Sequence, residues 1–214
     1  MNLRQLVKYV LWRDTTHHGE FRVMNRLAGE DCPRNFIDVG ANDGFYGSNS
    51  FPYVARGWHS LLIEPHPFAF ESLRARHARR PHATCLNCAC GAAQGRLPLW
   101  TAGDKTTLAT LDPDHHPHFT GKERQSHVVE IRRLGELLVE HKWQGQLGIL
   151  SIDTEGWDLE VLKGLDLGKW RPRLIITEDS RRGDQQEKEA YLATHDYSCQ
   201  HRIGANAFWV AARK

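Results

Sequence analysis

The chain has 214 residues, of which 40% are hydrophobic and 25% charged, enough apolar material for one full core and too much for a disordered polymer. Its formal net charge of +2 excludes the strong basic field of a nucleic-acid binder, and no apolar run reaches bilayer-spanning length. Five cysteines, an odd count, in a chain without a secretion signal predict reduced thiols and a cytoplasmic protein.

The first segment, residues 1–13, carries charges at helical spacing and reads as an amphipathic helix. Leu3, Leu6, Val7, Val10 and Leu11 share its apolar face, which is expected to pack on its own domain or on a second copy in a homo-oligomer. Residues 1–34 are accordingly read as a helical extension packed on a single domain of residues 35–214. Within the extension, His17-His18-Gly19-Glu20 is either a plain polar turn or a cover over a pocket.

Residues 36–39, Phe-Ile-Asp-Val, form an apolar strand that breaks into Gly40-Ala41-Asn42-Asp43-Gly44-Phe45-Tyr46-Gly47. A glycine loop between a strand and a helix at 48–56, with Ser48 placed to cap it, makes main-chain N–H groups converge on one point. A dinucleotide fingerprint wants G-x-G-x-x-G, but Asn42 holds the place of the middle glycine. Asparagine tolerates positive φ, so the turn survives. The room for a pyrophosphate does not, and this favours S-adenosylmethionine over NAD as the cofactor. A second strand, 60–63, ends at Glu64-Pro65, where a carboxylate suits a pair of ribose hydroxyls. A helix at 67–77 follows, and its basic end, Arg74 to Arg80, reads as a solvated face.

The strand at 83–90 carries Cys85, Cys88 and Cys90; alternation sets Cys85 opposite the other two, which predicts core thiols rather than a metal or disulfide site. The polar stretch 91–128 is expected to hold a short hairpin around Leu97 to Trp100. Its His115, His116 and His118, set among prolines, read as an acceptor-side loop and not as metal ligands. Residues 129–139 give an apolar pattern that runs into a helix at 134–141. A fourth strand at 148–152, a helix at 159–164 stopped by its glycine, a fifth strand at 173–177 and a closing hairpin of 197–203 with 207–211 complete the chain.

These units predict an α/β fold: one doubly wound, Rossmann-like methyltransferase domain with a mostly parallel sheet and an antiparallel C-terminal hairpin. In such a sheet the ligand lies beyond the carboxyl ends of the strands. Asp153 and Glu155 end the fourth strand there, and Glu178 and Asp179 the fifth. Clustered carboxylates call for shared protons, donors or a cation. Asp153 and Glu178 are therefore the candidate catalytic pair, and Asp153, Glu178 and Asp179 the candidate ligands of a divalent metal such as Mg²⁺. Glu155 and Asp158 are equally read as holders of loops and helix N-termini.

Several of these segments together, residues 36–44, Ile63-Glu64-Pro65, residues 151–156, Val161-Leu162-Lys163-Gly164 and residues 206–210, resemble the FkbM family of S-adenosylmethionine-dependent methyltransferases. His18-Gly19-Glu20 is similar to a G-E element before the first strand in that family, with histidine in place of the usual glutamine. The resemblance implies O-methylation of a hydroxyl on a sugar, polysaccharide or polyketide-like small molecule. It implies a cofactor loop of Asp38, Gly40, Ala41, Asn42 and Gly44, ribose binding by Glu64 beside Pro65, and an adenine border of Asn87, Cys88 and Ala89. It also implies that Asp153 and Glu178 face the transferred methyl. The expected partners are a hydroxylated small molecule or glycan, with neither nucleic acid nor membrane. A nicotinamide-dependent oxidoreductase and a catalytically silent S-adenosylmethionine-binding protein are the competing readings.

Overall fold

The computed structural model describes residues 14–102, 105–112, 124–179 and 182–212. The expected helix at 1–13 and the loop with His115, His116 and His118 lie outside them. Helix α1 (Glu20–Ala28) comes first, then β1 (Asn35–Val39), α2 (Phe51–Val54), β2 (His59–Ile63), α3 (Pro67–His77), β3 (Ala83–Leu86) and β4 (Ala89–Cys90). Strands β5 (Gly95–Ala102), β6 (Lys105–Thr110) and β7 (Arg124–Arg132) precede α4 (Leu134–Glu140) and β8 (Ile149–Ile152). The chain closes with α5 (Asp158–Lys163), β9 (Leu174–Glu178), α6 (Arg182–Ala193), β10 (Tyr197–Ile203) and β11 (Asn206–Ala211). Among the described residues no helix is long and apolar enough to cross a membrane.

The main sheet has the order β10-β11-β9-β8-β1-β2-β3. The five strands from β9 to β3 run parallel, and β11 enters antiparallel between β9 and β10, so the chain folds as the doubly wound sheet with its closing hairpin. Both faces of the parallel strands are covered, which is why they read as apolar runs. Side-chain alternation sends Ile37, Val39, Leu61, Ile63, Leu150, Ile152 and Ile175 to one face, against Leu134, Leu137 and Leu138 of α4, Val161 and Leu162 of α5 and Leu192 of α6. Phe36, Ile149, Leu174 and Ile176 point the other way, onto Val23, Met24 and Ala28 of α1 and Tyr53 of α2. Helix α3 completes that second layer with Leu73 against Leu62.

Four segments differ from expectation. The strand expected at 83–90 divides into β3 of the main sheet and β4 of a second one, and α6 is not among the expected elements. The helix foreseen at 48–56 is a single turn, because Asp43 Oδ1 accepts the amides of Phe45 and Tyr46 and holds the preceding residues in a turn. Ser48 still acts as a cap, its hydroxyl accepting the Phe51 amide. The foreseen short hairpin is one part of a second sheet, β4-β7-β5-β6. Its long partner pairing, Gly95 with Ile131 through Ala102 with Arg124, joins residues too far apart in sequence for a local turn signal to reveal. Leu99, Val129 and Ile131 form its inner face. Cys88 and Cys90 enter the main core and Cys85 the opposite layer, all as free thiols, although Cys85 lies on β3 and Cys90 on β4 of the other sheet, so alternation along one strand is not what separates them. Burial pushes the Cys88 thiol up to about 12.

Strand β1 ends where its two neighbours part. The amides of Gly40 and Ala41 both reach Ile63 O on the β2 side, at 2.9 and 3.0 Å, while Asp153 N reaches Val39 O at 2.9 Å on the β8 side. At this crossing Gly40 has φ 88, and a Cβ there would lie 1.8 Å from the carbonyl oxygen of Asp153. Gly57 also has positive φ but open space around its Cα. Gly57→Ala should therefore cost about 1 kcal/mol, the left-handed strain alone. Gly40→Ala should cost on the order of 3 kcal/mol or more, because backbone must move. Urea denaturation of both variants measures the difference.

Candidate functional site

Beyond the carboxyl ends of β1, β2 and β8 lies a cavity of about 330 Å³, within the range of small-molecule sites. It occupies the point where strand order reverses direction, since β2 and β3 lie on one side of β1 and β8 and β9 on the other. Of the residues expected at the site, Asp38, Gly40, Ala41, Asn42, Glu64, Pro65, Ala89 and Asp153 line it.

Glu64 marks one end. It is buried, at 5% exposure, and its two oxygens each accept one main-chain amide, Asn42 N at 2.8 Å and His66 N at 2.7 Å. Asn42 turns its amide toward the carboxylate because its φ is 48, the left-handed conformation the loop sequence anticipates. The single carboxylate thus ties the β1 loop to the entry of α3. Each oxygen keeps a further lone pair for a hydroxyl. Burial pushes the Glu64 carboxyl up to about 7, opposed by the His66 and Asn42 amides and assisted by the Asp38 charge. Asp38, held by Ser50 Oγ at 2.5 Å, is likewise pushed up to about 6 by burial, against the hydrogen bonds of Ser50 and Ser151.

Asp153 marks the other end. Its side chain is exposed to the cavity, with protein atoms crowded around the carboxyl on the other sides. That desolvation, followed by the charges of Glu178, Glu155, Asp158 and Asp38, raises it well above the carboxylate range. Carboxylate oxygens of Asp153, Glu155 and Glu178 all lie within 4.8 Å of one another.

Asp179 is a correction. Strand alternation turns it to the opposite side from Glu178, where it pairs with Lys188 Nζ at 3.3 Å and with the Arg202 guanidinium. Glu155 takes its place in the acidic group. Asp179 is thus neutralised by protein cations, and no cation is assigned to the remaining three acids.

Four further residues stand outside the cavity wall. Glu178 does not line the cavity, although its carboxylate neighbours those of Asp153 and Glu155. Gly44, at φ 68, faces α3: a Cβ there would meet Leu73 Cδ1 at 2.4 Å, so its bare backbone serves loop–helix packing. The Asn87 amide is turned back to the carbonyls of Glu64 and Pro65, at 2.8 and 3.1 Å, tying the ends of β2 and β3. Cys88 points into the main core, whereas Cys90 lines the cavity.

Sequence reasoning missed most of the wall beyond the strand ends. Leu99, Ala109 and Leu111 of the second sheet cover one side together with Trp157, and Thr110 Oγ1 donates to Glu155 O at 2.9 Å. Tyr46, Ser48 and Asn49 line the β8 side, with Asn49 Nδ2 donating to Ser151 Oγ at 3.3 Å. The His17 turn folds over the pocket: His17 lines the cavity and meets Tyr46 edge-on at 5.4 Å. A bridge between Thr16 and Gly47 seats this turn. Glu20 anchors it by accepting His18 N at 2.7 Å and Asn206 Nδ2 at 3.2 Å. Of the two readings of the His-His-Gly-Glu run, the cover over a pocket is the one this placement fits.

The comparisons with known proteins agree with this architecture. The chain is 27% identical to the methyltransferase sdnD of Sordaria araneosa, over 63% of this chain and 61% of that relative, and so spans about three fifths of its length. Among solved structures, a METTL16 methyltransferase domain superposes with a TM-score of 0.53 at 12% identity, covering 98% of this chain and 77% of that one. A methyltransferase from Geobacter sulfurreducens does so with a TM-score of 0.50 at 12% identity, covering 98% and 87%. At such identities the superpositions speak for the fold, a Rossmann-like methyltransferase fold. The model of the methyltransferase FkbM domain matches residues 38–202, most of the chain including the end of β1, Glu64 and the acidic group, and the protein therefore belongs to the FkbM methyltransferase family.

Proposed function

We propose that this protein is an S-adenosylmethionine-dependent O-methyltransferase acting on a hydroxyl of a sugar, polysaccharide or polyketide-like small molecule. The observation that carries the proposal is the two-ended cavity, with the amide-held Glu64 at one end and the Asp153 group at the other. Glu64 fits a ribose: its oxygens have one amide each and capacity for two neighbouring hydroxyls. Asn42, in place of a glycine, supports a methionyl end rather than a diphosphate, which weighs against a nicotinamide cofactor.

When bound, S-adenosylmethionine supplies an activated methyl group and its own leaving group. The protein's tasks are alignment, exclusion of water and removal of one proton. Leu99, Ala109, Leu111 and Trp157 give the cavity its apolar side, which strengthens every electrostatic contact inside it. Asp153 is the proposed acceptor of the hydroxyl proton. With Glu155 and Glu178 beside it, it holds a proton more tightly than an isolated carboxylate, which makes it the stronger base once ionised.

The titration of Glu64 gives a pH test. Hydroxyls donate to the ionised carboxylate, and the buried group takes up a proton as pH falls through about 7. A raised pKa therefore means that affinity is full above that value and lost below it. Affinity for S-adenosylhomocysteine should be flat above pH 8 and fall by up to about tenfold per pH unit well below 7. Glu64→Gln should weaken binding roughly 10- to 100-fold at pH 8 and flatten the pH dependence. Isothermal calorimetry measures both, and NADH run alongside should give no heat.

Asp153→Asn should leave S-adenosylhomocysteine binding in place and reduce turnover about 10²- to 10⁴-fold. Transfer of labelled methyl to a panel of glycosides and hydroxylated macrolactones is the assay. Equal turnover in the wild type and the variant would remove Asp153 from the mechanism. Cofactor binding without transfer to any hydroxylated compound would favour a silent binding protein.

A further inference from the structure

The acids at the far end of the cavity do not hold themselves in place. Asp158, the first residue of α5, is 2% exposed and reaches both backbone segments that carry them. Its Oδ1 accepts Thr154 N at 3.1 Å and Thr154 Oγ1 at 2.6 Å, and Thr154 lies between Asp153 and Glu155. Its Oδ2 accepts Glu178 N at 2.8 Å. The β8 loop and the end of β9 are thus joined through one carboxylate. Lys188 of α6, whose side chain is 4% exposed, stands behind it: its Nζ lies 3.8 Å from Asp158 Oδ2 and 3.3 Å from Asp179 Oδ1, and donates to Glu178 O.

We propose that Asp158 and Lys188 are a positioning pair for the acidic end of the cavity: Asp158 clamps Thr154 and Glu178 so that the Asp153, Glu155 and Glu178 carboxylates converge, and Lys188 keeps Asp158 charged so that it can do so. The consequence for turnover rests on Asp153 being the proton acceptor; the clamp itself does not.

The argument is one of charge allocation. Asp153 is faced by Glu178 from β9, by Glu155 of the cavity wall, by Asp158 from α5 and by Asp38 from β1. So many carboxylates in one low-dielectric region cannot all be ionised without cost. The proton settles on a group without a cation beside it. An ionised Asp158 accepts from three donors, whereas a protonated one carries a donor of its own, and one of its contacts with Glu178 N or Thr154 is lost. Burial pushes the Asp158 carboxyl up, and the Lys188 ammonium is the largest influence opposing it. Lys188 thereby favours an ionised Asp158, and the carboxyl that holds a proton where an acceptor would meet it is that of Asp153. Asp179, on the far side of Lys188 and paired with Arg202, fixes the lysine head.

The test uses Asp158→Asn and Lys188→Met in the full chain, followed by amide hydrogen exchange and by the carboxyl ¹³C signal of Asp158. Exchange at Thr154 and Glu178 should quicken on the order of 10- to 100-fold in both variants. In Lys188→Met the Asp158 carbon should shift to its protonated position at neutral pH, a change that loss of packing alone does not produce. S-adenosylhomocysteine affinity, set at the Glu64 end, should stay within about twofold. Turnover in the methyl-transfer screen should drop about tenfold or more. An ionised Asp158 with undisturbed Thr154 and Glu178 amides in Lys188→Met would overturn the proposal; full turnover in both variants beside quickened amides would count against Asp153 as the proton acceptor and not against the clamp. If Lys188→Met does not fold, Asp158→Asn decides alone: unchanged exchange at both amides overturns the clamp. Failure of the wild type to bind S-adenosylhomocysteine would sink the cofactor reading instead, and the amide and carbon signals would still judge the clamp.

Discussion

The backbone of Gly40 lies against the carbonyl of Asp153, and the site depends on that contact. No side chain fits between them, so the loops that leave β1 and β8 start from one shared point. From there they diverge, the first toward Glu64 on β2 and the second toward Glu178 on β9. The cavity is the space their divergence opens. It follows from the parallel sheet, because strands that reverse their order about β1 must send successive loops to opposite sides. The chemistry then follows from which side chains stand at the strand ends.

The carboxylates of the site fall into two kinds, separated by their partners. Glu64 and Asp158 each accept main-chain amides on both carboxylate oxygens and so tie segments of backbone together. Asp153 has like charges for neighbours and lines the cavity. An amide-held carboxylate is fixed and suits recognition, while one surrounded by negative charge holds its proton tightly and suits proton transfer. The burial that makes each useful also makes it costly, and for Asp158 that cost is offset by Lys188.

Much of this was legible in the residues. Strands β1, β2, β8 and β9 are apolar runs ended by glycine or an acid, and buried parallel strands must have that composition. Asn42 announced positive φ, and Glu64 followed at the right distance to meet it. The second sheet was not legible, because β5 and β7 pair across a long polar stretch and their alternation, Leu97 with Leu99 and Val129 with Ile131, is short and interrupted. Asp179 was misplaced for a local reason: two adjacent acids at a strand end look alike in sequence, but only one of them faces the site. Gly44 was read as an approach to ligand when its bare Cα serves α3, since sequence marks a backbone requirement without naming the neighbour that imposes it.

The central claim is the orientation of the cavity, with ribose at Glu64 and reacting methyl at Asp153. A crystal structure of the protein with S-adenosylhomocysteine tests it most directly. The account predicts both ribose hydroxyls on the Glu64 carboxylate and the sulfur turned toward Asp153, with Asp158 still bonded to Glu178 N. A ligand whose ribose lies at the Asp153 end, or one bound outside this cavity, would contradict it.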